Sequence, residues 1–191
     1  GGITAVKKMS TRFIQQLLLT DPSSIGSFIT ACSNGTLVLS DVLKTPEMVD
    51  WALHNAKGLF SADNYGSVSL TSEHIKQILA DPDFAGSFDI DKLVLDKETL
   101  NYIVYNNPGL FEISKKAIFQ INEEQLNFLL KNKPFVFQGL MYTASFSREQ
   151  AKKIVDFLGS ERLTVLFKYK PQFFALDELA CFANVFPAFL T

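Results

Sequence analysis

One short pattern recurs along most of the chain, and this repeat limits the possible folds more than any other feature. Five stretches begin with a Ser, Thr, Asp or Asn, at positions 45, 71, 96, 122 and 147, so the steps are 26, 25, 26 and 25 residues. Side chains of these types accept a hydrogen bond from a free amide at a helix N-terminus. A sixth, related stretch begins at Ser10. The regular spacing predicts an array of similar helical units.

Within each copy the same residue types stand at the same distance from the cap. A glutamate comes two residues after the cap, where the helix dipole favours a negative charge, and we interpret it as a capping partner. Apolar residues follow four, seven and eight residues after the cap, which predicts one buried face on a helix of about three turns. Pro108 and Pro134 end two of these helices, and an apolar anchor such as Leu110-Phe111 comes next.

The remaining dozen residues of each copy form a connector between consecutive capped helices. We expect a short second helix in most connectors, with a hairpin as the alternative, as in Phe88–Leu95. A hairpin is favoured in the first copy, where Cys32–Leu39 contains the turn pair Asn34-Gly35. The predicted fold class is mostly α: an α-solenoid-like array of repeats of about 25 residues. A compact α-bundle and an α+β repeat are the alternatives.

The same spacing defines the expected domain organisation. Residues 1–8, which open with Gly1-Gly2, are interpreted as a tag scar and leader. Residues 9–191 are expected to form a single repeat domain, with units starting near 10, 45, 71, 96, 122, 147 and 177. Because the chain ends on the apolar stretch 186–191, we expect it to be a fragment of a longer protein.

The phrase Asn106-Asn107-Pro108-Gly109-Leu110-Phe111 resembles the helical repeats of the mitochondrial transcription termination factor family. That resemblance implies a helical repeat array that binds nucleic acid through a basic surface. The family's repeats are longer, however, and this chain is slightly acidic. We therefore interpret the resemblance as convergence on a phrase in which a helix stops and an apolar anchor follows.

Composition and charge exclude several classes of protein. Apolar residues make up 47% and charged residues 20% of the chain, which is typical of a globular protein and excludes general disorder. The net charge of −2 gives no overall attraction to nucleic acid or to anionic lipid. Cys32 and Cys181 are too few for a disulfide framework, and no signal peptide or membrane span is expected, so we expect an intracellular, reducing environment.

The sequence offers little for catalysis or for metal binding. His54 and His74 lie inside predicted helices, and we interpret His74 as a partly exposed surface residue. Four carboxylates surround one connector (Asp81, Asp83, Asp89 and Asp91), which we interpret as a solvated acidic loop, because the calcium-loop pattern fails. Phosphate-binding loops and nucleophile elbows are absent from the sequence. No catalytic residue, metal site or cofactor is therefore predicted, and whether the protein is an enzyme stays open, with the balance against it.

A candidate binding strip comes from the face opposite the apolar one. The residue six after the cap is Trp51, Tyr102 or Phe128 in three copies, and the residue ten after the cap is Asn55, Asn106 or Asn132. Trp and Tyr are enriched at the centres of protein interfaces. The alternative is structural: the rings pack against a neighbouring connector, and the asparagines end their helices in a left-handed turn.

The expected function is therefore a protein–protein interaction scaffold without catalysis of its own, whose partner is another protein. A nucleic-acid-binding repeat domain is the first alternative, although a nucleic-acid partner is not favoured by the charge. It would depend on the basic residues of the C-terminal half, which are Lys115, Lys116, Lys131, Lys133, Lys152, Lys153, Arg162, Lys168 and Lys170. An accessory domain of a larger enzyme is the second alternative.

Overall fold

The computed structural model describes residue 6 and residues 8–61, 65–85, 88–137, 140 and 147–169, and this part is mostly helical and contains no strand. Its α-helices are α1 (Thr11–Thr20), α2 (Ser23–Ser33), α3 (Leu39–Val42), α4 (Pro46–Asn55), α5 (Ser72–Leu79), α6 (Pro82–Ala85), α7 (Lys97–Asn106), α8 (Glu123–Asn132) and α9 (Arg148–Tyr169), the last of which is kinked at Gly159, where φ is 75°. Short 3₁₀ helices are Lys57–Ser61, Tyr65–Ser67, Ile90–Lys92, Pro108–Glu112, Ala117–Gln120 and Pro134–Phe137. The copy expected near 177 lies outside the described residues.

All six predicted caps are confirmed. In each copy the side-chain oxygen of the cap accepts a hydrogen bond from the backbone amide three residues later, at 2.7–3.3 Å. The caps are Ser10, Thr45, Thr71, Asp96, Asn122 and Ser147. Each bond satisfies one of the amides that the first turn of a helix leaves without a partner, which explains why the helices begin where the spacing predicts.

The prediction that the glutamates are the capping partners is wrong. They are all exposed, and in three copies the residue after the glutamate closes the capping box instead. The His74 ring accepts a hydrogen bond from the amide of its own cap at 3.2 Å, and Gln125 and Gln150 do the same at 2.9 and 2.8 Å. Only a side chain at the third helical position reaches back to the cap amide, so the glutamates act through their charge at the helix N-terminus.

The apolar face predicted for each helix is confirmed as core. The residues four, seven and eight after the cap are buried in most copies, among them Val49, Ala52, Leu53, Ile75, Ile78, Leu79, Leu100, Ile103, Val104, Leu126 and Leu129. The anchors Leu59-Phe60, Leu110-Phe111 and Val136-Phe137 are buried as well. α7 and α8 end at Asn106 and Asn132, and Pro108 and Pro134 each begin a 3₁₀ helix, as the prolines predict.

The hairpin predicted for Cys32–Leu39 is wrong. α2 continues to Ser33, and Gly35 ends it in a left-handed conformation with φ of 73°. The Gly35 amide donates to the carbonyl oxygen of Cys32 at 3.1 Å, which is a helix C-terminal contact rather than a strand pairing. An Asn-Gly pair is compatible with a hairpin turn and with a helix C-terminus. Here the buried residues Phe28 and Cys32 favour the helix, because residues four apart lie on the same helix face.

The chain divides into two compact units. The first consists of Gly1–Phe88 and Lys92–Thr99, and the second of Asp89–Asp91 and Leu100–Thr191. In the first, α1 packs on α2, α2 and α4 both contact the 3₁₀ helix Lys57–Ser61, and α4 packs on α5. In the second, the 3₁₀ helices Pro108–Glu112 and Pro134–Phe137 pack together, and α8 contacts the latter.

A close backbone approach in the first unit requires a glycine. A Cβ atom on Gly66 would lie 2.3 Å from the carbonyl oxygen of Lys92, a distance that no side chain tolerates. The neighbouring Tyr65 ring stacks on Phe88 with 4.4 Å between ring centroids, and the Lys92 ammonium lies 5.5 Å from the Tyr65 ring. Gly66 therefore allows the 3₁₀ helix at Tyr65–Ser67 to lie directly against the next connector.

Candidate interaction surface

The three aromatic residues of the candidate strip are half-buried. Trp51 lies on α4 in the first unit, whereas Tyr102 on α7 and Phe128 on α8 belong to the second. The ring that touches Phe128 is that of Tyr105, with 4.7 Å between centroids and an interplanar angle of 59°. Sequence reasoning missed Tyr105, which is 40% exposed. Its position three residues after Tyr102 was the available signal, because residues three apart share one side of a helix.

The three asparagines of the strip have a local structural role. Each donates a hydrogen bond from its Nδ2 to the backbone carbonyl oxygen four residues earlier, at 2.9 Å in all three copies. The acceptors are the carbonyls of the aromatic residues themselves: Trp51 for Asn55, Tyr102 for Asn106 and Phe128 for Asn132. The expected left-handed turn is wrong, since no residue other than glycine has a positive φ among the described residues.

Polar contacts flank the aromatic pair in the second unit. The Nε2 atom of Gln125 donates to the Oδ1 atom of Asn101 at 3.3 Å, which ties α8 to α7 one turn before Tyr105 and Phe128.

A second aromatic pair is formed by Phe119 and Phe157, with 4.9 Å between ring centroids. The Lys153 ammonium lies 4.1 Å from the centroid of the Phe119 ring, which is a cation–π distance.

His74 is buried, and the prediction of a partly exposed histidine is wrong. Its Nε2 atom lies 2.9 Å from the Oδ1 atom of Asp50 on α4, and its Nδ1 atom accepts from the Thr71 amide. Because Nδ1 acts as the acceptor, the ring proton lies on Nε2 and points at Asp50. This arrangement orients the histidine as a structural link between α4 and α5. His54 is exposed, with its Nδ1 atom 2.7 Å from the Asp50 carbonyl oxygen.

The acidic connector is not a solvated loop. The Asp91 carboxylate accepts hydrogen bonds from the Ser114 hydroxyl at 2.7 Å and from the amides of Lys115, Lys116 and Ala117 at 2.6, 3.1 and 2.8 Å. Burial alone would raise the pKa of Asp91, but these four donors together hold that pKa below its usual value. The carboxylate therefore stays charged and binds a cluster of backbone amides. We call the Asp91 carboxylate together with its four donors the Asp91 clamp.

Asp81 is also engaged. Its carboxylate accepts from the Lys57 ammonium at 2.7 Å and from the Asp83 amide at 3.0 Å, and these two hydrogen bonds lower the pKa of Asp81. In the described part of the chain, no three His, Cys, Asp or Glu side chains are grouped so as to hold a metal ion. Cys32 is buried, and Cys181 lies outside the described residues.

Two of the nine basic residues singled out in the C-terminal half have a carboxylate partner. Arg162 donates to Glu123 at 2.6 Å and to Asn127 at 3.0 Å, which joins α9 to α8. Lys152 donates to Asp156 at 2.5 Å along the same helix. Each of these two cations is therefore paired with a carboxylate at the protein surface.

Comparison of the chain with protein-family models, with curated proteins and with solved structures found no match. The resemblance of the helix-stop-anchor phrase to termination-factor repeats therefore rests on that phrase alone. Among the described helices, none combines the length and the apolar character that crossing a membrane requires.

Proposed function

We propose that the chain is a helical repeat array that binds another protein through outward-facing aromatic residues. The regular stacking of copies is supported by side-chain pairs 24 residues apart. Asp50 contacts His74 in the first unit, and Asn101 contacts Gln125 in the second. Both pairs join the residue five after one cap to the residue three after the next, which is the relation expected when neighbouring helices stack in register.

The observation that carries the binding role is the aromatic pair of the second unit. Tyr105 and Phe128 touch each other on adjacent helices, yet 40% of the Tyr105 surface is exposed. The opposite faces of α7 and α8 supply the core, and these two rings lie outside it. A tyrosine offers a rigid apolar surface and a hydroxyl, which explains its frequency at the centre of protein interfaces.

Trp51 gives the first unit a similar feature on its own. The ring is half-buried on α4, on the side of the helix opposite the buried residues Val49 and Leu53. The Asn55 side chain donates a hydrogen bond to the Trp51 carbonyl oxygen. This bond stabilises the end of the helix that carries the ring. A pre-ordered aromatic side chain loses little conformational entropy on binding, which favours its use in recognition.

The test is affinity capture with matched variants of the second unit. Tyr102→Ala with Tyr105→Ala removes two aromatic rings of the proposed surface, and Ile113→Ala with Val165→Ala removes two other exposed apolar side chains (57% and 54% exposed) as the control. The expected result is a protein retained by the wild type and by the control but reduced about 30-fold or more by the tyrosine variant, the effect of losing about 2 kcal/mol at a hot spot.

Two results would contradict the proposal. Equal capture by all three proteins, with circular dichroism showing that all are folded, would exclude the aromatic surface as the binding site. Capture that nuclease treatment abolishes and that weakens steeply with salt would instead indicate the nucleic-acid alternative.

A further inference from the structure

One contact between consecutive copies of the repeat is made by the third residue of a capped helix. In the second unit this residue is Gln125. Its Oε1 atom accepts from the amide of its own cap, Asn122, at 2.9 Å, and its Nε2 atom donates to Asn101 of the preceding helix at 3.3 Å. The contact needs an acceptor and a donor on one side chain, and the amide group of glutamine provides both without titrating.

In the first unit a histidine makes the same two contacts. The Nδ1 atom of His74 accepts from the Thr71 amide at 3.2 Å, and its Nε2 atom lies 2.9 Å from the Oδ1 atom of Asp50 on α4. The residue is only 4% exposed. A neutral imidazole has one donor and one acceptor nitrogen. The histidine therefore replaces glutamine at this position only while its ring is neutral.

A second proton on the His74 ring removes one contact and strengthens the other. Both nitrogens of a protonated imidazole are donors, so Nδ1 no longer accepts from the Thr71 amide. That half of the capping box opens, whereas the Thr71 hydroxyl still accepts from the His74 amide, at 3.2 Å in this structure. On its other side the charged ring pairs with the Asp50 carboxylate, and hydrogen bonds between charged groups are stronger than those between neutral ones.

Other titratable groups lie on the elements around His74. α5 packs against α4 and α6. Three pairs on or beside these helices engage charged groups with other partners: Lys76 with Glu98, Asp81 with Lys57, and Asp96 with Ser72. The remaining titratable side chains of α4, α5 and α6 are exposed: Glu47, His54, Glu73 and Asp83. Asp50 is therefore the carboxylate that meets the His74 ring directly.

We propose that His74 is a proton-operated switch at the junction of α4 and α5. With a neutral ring, both halves of the capping box close the first turn of α5. Uptake of a proton releases the Thr71 amide and turns the contact with Asp50 into an ion pair, so this turn loosens while the two helices stay joined. Histidine is the side chain that ordinarily titrates between about pH 5 and pH 8. The junction of α7 and α8, where Gln125 takes the place of histidine, does not respond.

The test follows two cap amides of the isotope-labelled full chain by NMR at about pH 8 and about pH 5. At the higher pH we expect the His74 ring proton on Nε2, with a through-hydrogen-bond coupling between Nδ1 and the Thr71 amide nitrogen. At the lower pH we expect a doubly protonated ring and no coupling. Protection of the Thr71 amide from hydrogen exchange, corrected for the intrinsic rate at each pH, should fall about fivefold, the effect of one net hydrogen bond. Protection of the Asn122 amide, which Gln125 accepts, should not change.

Two glutamine variants separate His74 from the other titrating groups. His74→Gln reproduces the arrangement of the second unit, so it is expected to fold and to keep the Thr71 amide equally protected at both pH values. His54→Gln removes the other histidine of the chain and should respond like the wild type. Its ring already donates from Nδ1 to the Asp50 carbonyl oxygen at 2.7 Å, so adding a proton to Nε2 leaves that hydrogen bond in place.

Three results would overturn the proposal. The first is a His74 ring that stays neutral at about pH 5. The second is a ring that takes up the proton while the Thr71 amide keeps its coupling and its protection. The third is a loss of protection that is equal at Thr71 and Asn122, or that persists in His74→Gln. The comparison of the two amides within the wild type does not depend on the folding of any variant.

Discussion

Replacing Asp91 with alanine removes the carboxylate at the centre of the Asp91 clamp. Four donors converge on this group: the Ser114 hydroxyl and the amides of Lys115, Lys116 and Ala117. The Ser114 hydroxyl also accepts from the Ile118 amide at 3.1 Å, so the contact extends into the following 3₁₀ helix. The variant therefore tests how much of the second unit's stability depends on joining one connector to the next.

The expected loss in the free energy of unfolding follows from how exposed each of the four donors is. Ser114 is 0% and Ala117 is 1% exposed, so their two groups would stay buried without a partner. Each such group costs about 1–3 kcal/mol. Lys115 and Lys116 are exposed, and we expect their amides to bind water instead. The expected loss in the free energy of unfolding is therefore about 2–6 kcal/mol, which is large against a total of about 5–15 kcal/mol.

Urea unfolding followed by circular dichroism measures this loss directly. Glu112→Ala is the matched control, because it removes one negative charge from an exposed residue of the same unit and is expected to change stability by less than about 0.5 kcal/mol. If Asp91→Ala fails to fold, Asp91→Asn keeps one acceptor oxygen and should lose about 1–3 kcal/mol. A loss below about 1 kcal/mol for the alanine variant, with an unchanged denaturant slope, would refute the reasoning.

Three further predictions concern a helix cap, unfolding at acidic pH and a close backbone contact. Asn122→Ala should lower the free energy of unfolding by about 1 kcal/mol in urea, and no change would contradict its capping role. The Ser72 hydroxyl and the Thr99 amide lower the pKa of Asp96 to about 2, so its contribution is present above the ordinary value of 3.8 and is lost as the pH falls toward 2. Ser72→Ala should make acid unfolding less steep over this range, and an identical curve would count against the contact. Gly66→Ala should lower the free energy of unfolding by about 1–3 kcal/mol, because its Cβ atom would meet the Lys92 carbonyl oxygen. Gly109→Ala, which has open space around it, is the control and should cost less than about 1 kcal/mol. Equal losses for the two variants would refute the close approach at Gly66.

Features that depend on a few neighbouring residues were predictable from the sequence. The caps at Thr45 and Asn122, for example, need only an oxygen-bearing side chain followed by an amphipathic helix, and both are confirmed. The prolines at 108 and 134 act on the residue before them, so the helix ends were predictable too. The error at Asn34-Gly35 arose because that pair suits two local structures, and only the packing of Phe28 decides between them.

Features that join distant residues could not be derived in the same way. The sequence shows Asp91 as one carboxylate among four, and only the fold brings it to amides 24–26 residues later. His74 was misjudged for the same reason, since its burial depends on Asp50 of the preceding copy. The aromatic surface was predicted in part: Phe128 was named, but its contact Tyr105 follows from how α7 and α8 stack.

The Asp91 clamp also affects how readily a protease can cut the connector at Lys115 and Lys116. Lys115 and Lys116 are exposed, adjacent and in a connector, so trypsin would be expected to cut there first. Cleavage requires the backbone to become extended, and the amides of both lysines are held by the carboxylate. The rate of cutting at this pair therefore reports how often the clamp opens, which makes limited proteolysis a probe of local unfolding in this connector.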